Sequence, residues 1–272
     1  MNLAIALRTL RRSPRYAVTV ALTLAAGIAA TAATFSVFRS VVLAPVPYAP
    51  ADRAMTVFER DTAGTFRLAS YPTFRDWRAG TEVFEGLAFV RGVGQVMKTE
   101  RGGERLLGAF VTEDFFHALP GEIALGRTFG PDDHRSGAPA TAVLTHRVWR
   151  RAFGGDPAVV GRSIVLGERS YTVIGVLAPS FGYPIWADFF SPLGVIAATD
   201  PALAARGLHV DSRVVGRLRP GVDSATAARA LGVVAARLAE AYPAESGGYR
   251  AVAMAPIAAE ILGGTGPQLR LL

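Results

Sequence analysis

The chain has 272 residues, a formal net charge of +7 and no cysteine. Without cysteine it has no disulfide, thiolate metal site or thiol nucleophile. Arginines are scattered among Asp and Glu beyond the N-terminus, so the concentrated basic stripe of a nucleic-acid surface is missing and no nucleic-acid partner is expected.

The chain opens with Arg8, Arg11, Arg12 and Arg15 and no acidic residue among them. Tyr16 to Phe38 (YAVTVALTLAAGIAATAATFSVF) then carries no charged side chain. As a helix this run is roughly 34 Å long at about 1.5 Å per residue, enough to cross a hydrocarbon core of about 30 Å. Arginines flanking a span stay in the cytoplasm, so they set the topology. The expected order is a cytoplasmic basic segment over 1–15, a transmembrane helix over 16–43 and an outer body beyond, with the lipid bilayer as a partner. Pro45 and Pro47 end the helix. A cleaved signal peptide is the rival reading, through the small residues Ala30, Ala32 and Ala33. The apolar run is longer than a signal core and continues past them through Phe35, Val37 and Phe38, which favours a retained anchor. Ala26, Gly27, Ala30, Thr31 and Thr34 are small enough to let a second helix approach closely. They also fit a span simply filled with alanine.

A Pro-rich exit, APVPYAPAD (44–52), leads into alternating elements. Ala54–Glu59 reads as a strand. Ser70 caps a helix to about Arg78, with Pro72 in its first turn and Tyr71, Phe74 and Trp77 inward. Leu87–Thr99 reads as a strand interrupted at Gly92 and Gly94, and Arg105–Val111 as another. Thr112 caps a short helix through Phe115 and Phe116. GRTFGPDD (126–133) reads as a surface loop and Ala142–Leu144 as a short strand. Thr145 caps a helix carrying Val148, Trp149 and Phe153, stopped at Gly154-Gly155. Ser163–Leu166 and Ser170–Val176 form a hairpin about Gly167-Glu168. Asp211–Leu218 is a strand, Pro220-Gly221 a turn, and Asp223 or Ser224 caps a helix with Ala227, Leu231, Val234 and Leu238 on one face. Tyr249–Ala255 is the last strand. The fold class is α+β: a single N-terminal transmembrane helix, then a mixed α/β domain in which two β-α-β pieces flank a β-rich middle.

Catalytic motifs are missing. GDPAVVGRS (155–163) superficially resembles a phosphate loop, but its glycines are one residue too far apart and Arg162 stands where lysine is needed. RGVG (91–94) lacks the third glycine of a dinucleotide loop, and no G-x-S-x-G elbow occurs. His117, His134, His146 and His209 show no helical zinc spacing. Asp132-Asp133-His134 sits in a polar loop and reads as solvated. No catalytic, cofactor-binding or metal residue is assigned.

The chain resembles the MacB/FtsX-like ABC transporter permeases, in particular their MacB-like periplasmic core domain. The resemblance runs in order through ALRTLRRSPRYAVTVALTLAAGI, FSVFRSVVLAPVPY, SYPTFRDWR, FEGLAF, GAFVTEDFF, LGRTFGPDD, AVLTHRVWRRAFGGDPAVVGRSIVLGERSYTVIGVLAPSFGYP and VVGRLRPGVDSATAARALGVVAARLAEAYP. It implies a porter-like α/β part with a β-rich insertion over 44–262, in the bacterial inner membrane with the main domain periplasmic. It implies a non-enzymatic permease that forms a dimer, works with a separate or fused ABC ATPase subunit, needs no cofactor of its own and meets a periplasmic adaptor. The work done is efflux or mechanical action in the periplasm; the alternative is an anchored binding module without transport. QLRLL (268–272) stands about where the family's second membrane helix begins, so 263–272 reads as the approach to that helix and the chain as the N-terminal part of a permease.

Overall fold

In the computed structural model the residues described are 15, 18–19, 22–29, 31–32, 53–99, 102–209 and 211–263. The chain divides into two compact units, Met1–Pro45 and Val46–Leu272. In the first, the described residues are helical and exposed. The hydroxyls of Thr19, Thr23 and Thr31 donate to the carbonyls of Arg15, Thr19 and Gly27 at 3.0, 2.9 and 2.8 Å, the bond threonine makes one turn back in a helix. The expected span over Tyr16–Phe38 lies largely outside the described residues. Among those described, no helix is long and apolar enough to cross a membrane.

The second unit is built on one mixed sheet. Its strands are β1 (Ala54–Arg60), β2 (Phe66–Arg67), β3 (Phe84–Thr99), β4 (Gly102–Val111), β5 (Ile123–Gly126), β6 (Thr141–Leu144), β7 (Ser163–Leu166), β8 (Arg169–Leu177), β9 (Phe189–Pro192), β10 (Ser212–Leu218) and β11 (Ala251–Pro256). Between them lie helices α1 (Tyr71–Gly80), α2 (Phe115–Ala118), α3 (His146–Phe153), α4 (Ser224–Ala241) and α5 (Pro243–Ser246), with α6 (Ile257–Gly263) after β11. The strand order is β11-β1-β10-β3-β4-β9-β6-β8-β5. Among its first four strands each is antiparallel to its neighbour. They place β10 between the two strands of β1-α1-β3, and β1 between those of β10-α4-β11. These are two interlocked split β-α-β units, the ferredoxin-like arrangement. The middle segment is no separate body: β4 pairs with β3 from Val90 to Thr99 and hands the sheet to β9 and β6.

Both faces of the sheet are covered. One bears α1 and α4, with Phe74, Trp77, Phe89, Leu231 and Leu238 in its core. The two helices meet where Gly80 faces Val234; a Cβ there would stand 2.8 Å from a Val234 methyl. The other face buries Phe115, Leu119, Phe181, Phe190 and Ile257. Phe115, Phe181 and Phe190 gather with Phe116 at ring separations of 5.1 to 6.4 Å. Such pairs each add about 0.5–1.5 kcal/mol beyond buried area.

The caps behave as the sequence suggests at three helices: Ser70, Thr145 and Asp223 accept from the backbone N–H groups of Thr73, Val148 and Thr226. Thr112 does not cap α2. Its hydroxyl instead accepts from Phe89 N–H at 2.9 Å, tying β4 to β3, and Asp114 holds the N-cap position. Gly92 and Gly94 do not interrupt β3, which pairs with β4 through both. GRTFGPDD is only partly a loop: Gly126 ends β5 opposite Gly175, and Pro131–His134 is a 3-10 turn. A Cβ at Gly126 would meet Ile174 O at 2.2 Å, and one at Gly175 would meet Arg127 O at 2.2 Å. Glycine is required on both sides of that close backbone approach.

Candidate functional site

Of the residues assigned from sequence, Arg8, Arg11, Arg12, Ala30 and Thr34 lie outside the described residues. Arg15, Ala26, Gly27 and Thr31 are helical and exposed. A side chain at Gly27 would meet nothing within 4 Å. The Thr31 hydroxyl is already satisfied by Gly27 O, so it needs no second helix for a hydrogen bond.

The polar features of the folded body lie elsewhere. Glu59 ends the apolar phase of β1, after Met55 and Val57, and is buried beneath α1. Its carboxylate lies 3.6 Å from Arg67 Nε and 3.3 Å from His209 Nδ1. Burial pushes the Glu59 carboxyl up to about 7, against the pull of Arg67. His209 Nδ1 lies 2.6 Å from Leu68 O, while Arg67 Nη2 meets Nε2. A carbonyl can only accept and a guanidinium only donate, so the pair fixes the neutral Nδ1–H tautomer. Burial, with the adjoining Arg67 charge, pushes His209 down to about 4 in spite of the Leu68 bond. Arg67 also stacks on Tyr249 at 3.8 Å. Arg206 lies 4.0 Å over Tyr242 and 2.7 Å from Asp76 on α1. The phase of AMTVFE, a carboxylate in register with two core residues, was the available signal for Glu59.

On the opposite face Glu260 latches α6 to the sheet. Its carboxylate accepts from Thr56 at 2.9 Å, Tyr183 at 3.1 Å and Arg213 at 3.1 Å. Burial and the adjacent Glu260 charge push the Tyr183 phenol up. A third latch is Asp188, which accepts from Leu107 N–H and Arg147, both at 2.9 Å, and so joins β4, α3 and the approach to β9. Asp133, expected to be solvated, is buried and accepts from Arg127 and Gly130 N–H. It closes the turn in GRTFGPDD. Among the described residues no group of three or more His, Asp or Glu is placed to hold a metal ion. These clusters pin elements together; none sets a nucleophile beside a base.

Clefts open among the described residues of the body. One, of about 270 Å³, lies by Arg147, Phe181 and Ile185. Another, of about 530 Å³, follows β11.

The split β-α-β sheet with a β-rich middle defines a mixed α/β domain. The model of the MacB-like periplasmic core domain matches residues 17–233, and the chain belongs to that family. No curated protein matches the chain in sequence. Among solved structures it is similar to the periplasmic region of MacB from Actinobacillus actinomycetemcomitans, at 13% identity and TM-score 0.56, covering 84% of this chain and 100% of that one. It is also similar to the extracellular domain of the noncanonic ABC-type transporter YknZ from Gram-positive bacteria, at 13% identity and TM-score 0.52, covering 74% and 99%. A domain of a Porphyromonas gingivalis protein described as a permease aligns at 18% identity and TM-score 0.57, covering 77% and 91%. At these identities the structural likeness is one of fold.

Proposed function

We propose that the chain is the membrane-anchored periplasmic part of a MacB-like ABC transporter permease. Residues 16–43 cross the inner membrane, with Arg8, Arg11, Arg12 and Arg15 holding the N-terminus in the cytoplasm. The body from 44 to 262 stands in the periplasm. It has no catalytic role of its own. A separate ATPase subunit hydrolyses ATP, and a permease dimer passes the motion outward to drive efflux or mechanical work there, with a periplasmic adaptor as a further partner. Ala26, Gly27, Ala30, Thr31 and Thr34 pack the anchor against other membrane helices. The observation that carries this reading is the family match over 17–233. The uncharged run Tyr16–Phe38 behind four arginines supports the anchor.

The cysteine-free chain suits a labelling test. Asn2→Cys and Ala198→Cys variants are exposed to a membrane-impermeant maleimide in spheroplasts. Ala198→Cys is expected to label at once, and Asn2→Cys only after lysis. Reversed labelling, or recovery of the intact chain without detergent, would overturn the topology. Affinity purification from the native membrane is expected to bring down an ATP-hydrolysing subunit. A membrane-bound chain that never does so would favour the binding-module reading.

A further inference from the structure

The outer edge of β11 is the least protected edge of the sheet. β11 stands at one end, in regular register with β1 from Met55 opposite Pro256 to Arg60 opposite Ala251. Among the described residues no strand and no backbone hydrogen bond occupies its other side. Such an edge is a template for another strand, and proteins ordinarily blunt it with charge, brevity or a bulge. The opposite edge is blunted in this way: β5 has four residues and an irregular register. β11 reads AVAMAP, without charge or bulge, and its one proline is its last residue.

The cleft of about 530 Å³ runs along this edge. Val252, Ala253, Met254 and Ala255 all line it. Consecutive strand residues face opposite sides of a sheet, so the cleft straddles the edge and opens on both faces. On one face Val252 and Met254 share the wall with Ala225 and Ala228 of α4, a small apolar surface. On the other, Ala253 lies opposite Phe58 and near Arg60, while Arg213, farther in on β10, is held by Glu260, the one carboxylate of the lining. Arg60 is exposed, lies 6.0 Å from the Phe66 ring and forms no ion pair among the described residues. The space is of the size, about 300–1,000 Å³, that binds ligands.

We propose that β11 is a docking edge for an extended peptide segment of a partner protein. The segment adds as a strand, with small apolar side chains turned towards α4 and alternate acidic ones towards Arg60. In strand addition main-chain hydrogen bonds supply affinity, and pockets for alternate side chains supply specificity; the two unlike lobes of the cleft match that alternation.

The purified full chain is titrated with a labelled, end-blocked peptide of alternating valine and glutamate, followed by fluorescence anisotropy and by amide exchange over 251–256. Saturable binding that slows exchange in β11 is expected. Arg60→Glu, an exposed change that spares the fold, and a valine–lysine peptide should each weaken binding about tenfold. A valine–glutamate peptide N-methylated at alternate residues, with one hydrogen-bonding edge removed, should not bind. The proposal is overturned by no binding up to about 1 mM, by equal binding of the glutamate and lysine peptides, or by undiminished binding of the methylated one. A dimer that must dissociate before peptide binds would assign the edge to a second copy. Exchange protection lost on deleting 264–272 would assign it to the chain's own tail. Either result overturns docking of a partner.

Discussion

Glu59 and His209 lie 3.3 Å apart and are displaced in opposite directions. For Glu59, raised from 4.5 to about 7, the stabilising contribution is full below 4.5 and is lost as pH rises through about 7. For His209, lowered from 6.5 to about 4, it is full above 6.5 and is lost as pH falls through about 4. Each displacement is worth about 3 kcal/mol at most, at about 1.4 kcal/mol per unit of pH. In the wild type the two slopes oppose one another between pH 4.5 and 6.5. Removing one uncovers the other. Relative to wild type, the unfolding free energy of Glu59→Gln should rise with pH over this window, and that of His209→Gln should fall. Taking differences against wild type cancels the carboxylates that Arg78 and Arg127 hold low, Glu113 and Asp133. Urea midpoints across the window measure both slopes. Two variants that simply track the wild type would show that the pair is not tuned by its burial.

At the scale of the element, Thr145 does two jobs at the start of α3. Its hydroxyl caps Val148 N–H and donates to Asp188 O at 2.9 Å, so the cap also holds the approach to β9. Thr145→Ala should cost about 1–2 kcal/mol, and Thr145→Ser should recover most of it. The urea midpoint should fall with an unchanged slope; an alanine variant as stable as wild type would refute the double role. This cap was legible because a helix start is written within four residues, as at Ser70 and Asp223. The β7–β8 hairpin was legible for the same reason, with Gly167 at φ 62° between paired Leu166 and Arg169. β2, β5 and β9 were not, since two to four residues carry no period, and the partners of β5 and β9 are distant in sequence: FFSP becomes β9 only against β4 and β6. The glycines of β3 mislead locally. Gly92 is small because Trp186 packs over it, where a Cβ would stand 3.1 Å from the ring. The Glu260 latch was equally hidden, as its tyrosine lies 77 residues away. Glu59 alone had a local signature.

Across the whole sheet, the question is whether the split β-α-β part and the middle part act as one body. β3 has 16 residues and is about 50 Å long. It pairs with β10 near its start, with β7 near its end and with β4 over most of its length. The Asp188 latch adds side-chain bonds at the junction with β9. A continuous ladder of this kind makes the two parts one cooperative unit, whereas domains joined by a linker open separately. Tryptophan placement allows a direct measurement. Trp77 is fully buried beneath the split β-α-β part, while Trp149 and Trp186 belong to the middle. In a Trp149→Phe, Trp186→Phe double variant, fluorescence reports Trp77 alone, and amide exchange over β8 reports the far side of the sheet. Both should give one urea midpoint. A displacement imposed at the root of β1 would then reach β8 through the sheet, as the proposed mechanical coupling requires. Two separate midpoints would mean that the β3–β4 ribbon bends between independent bodies, and the coupling would have to run through contacts with other chains.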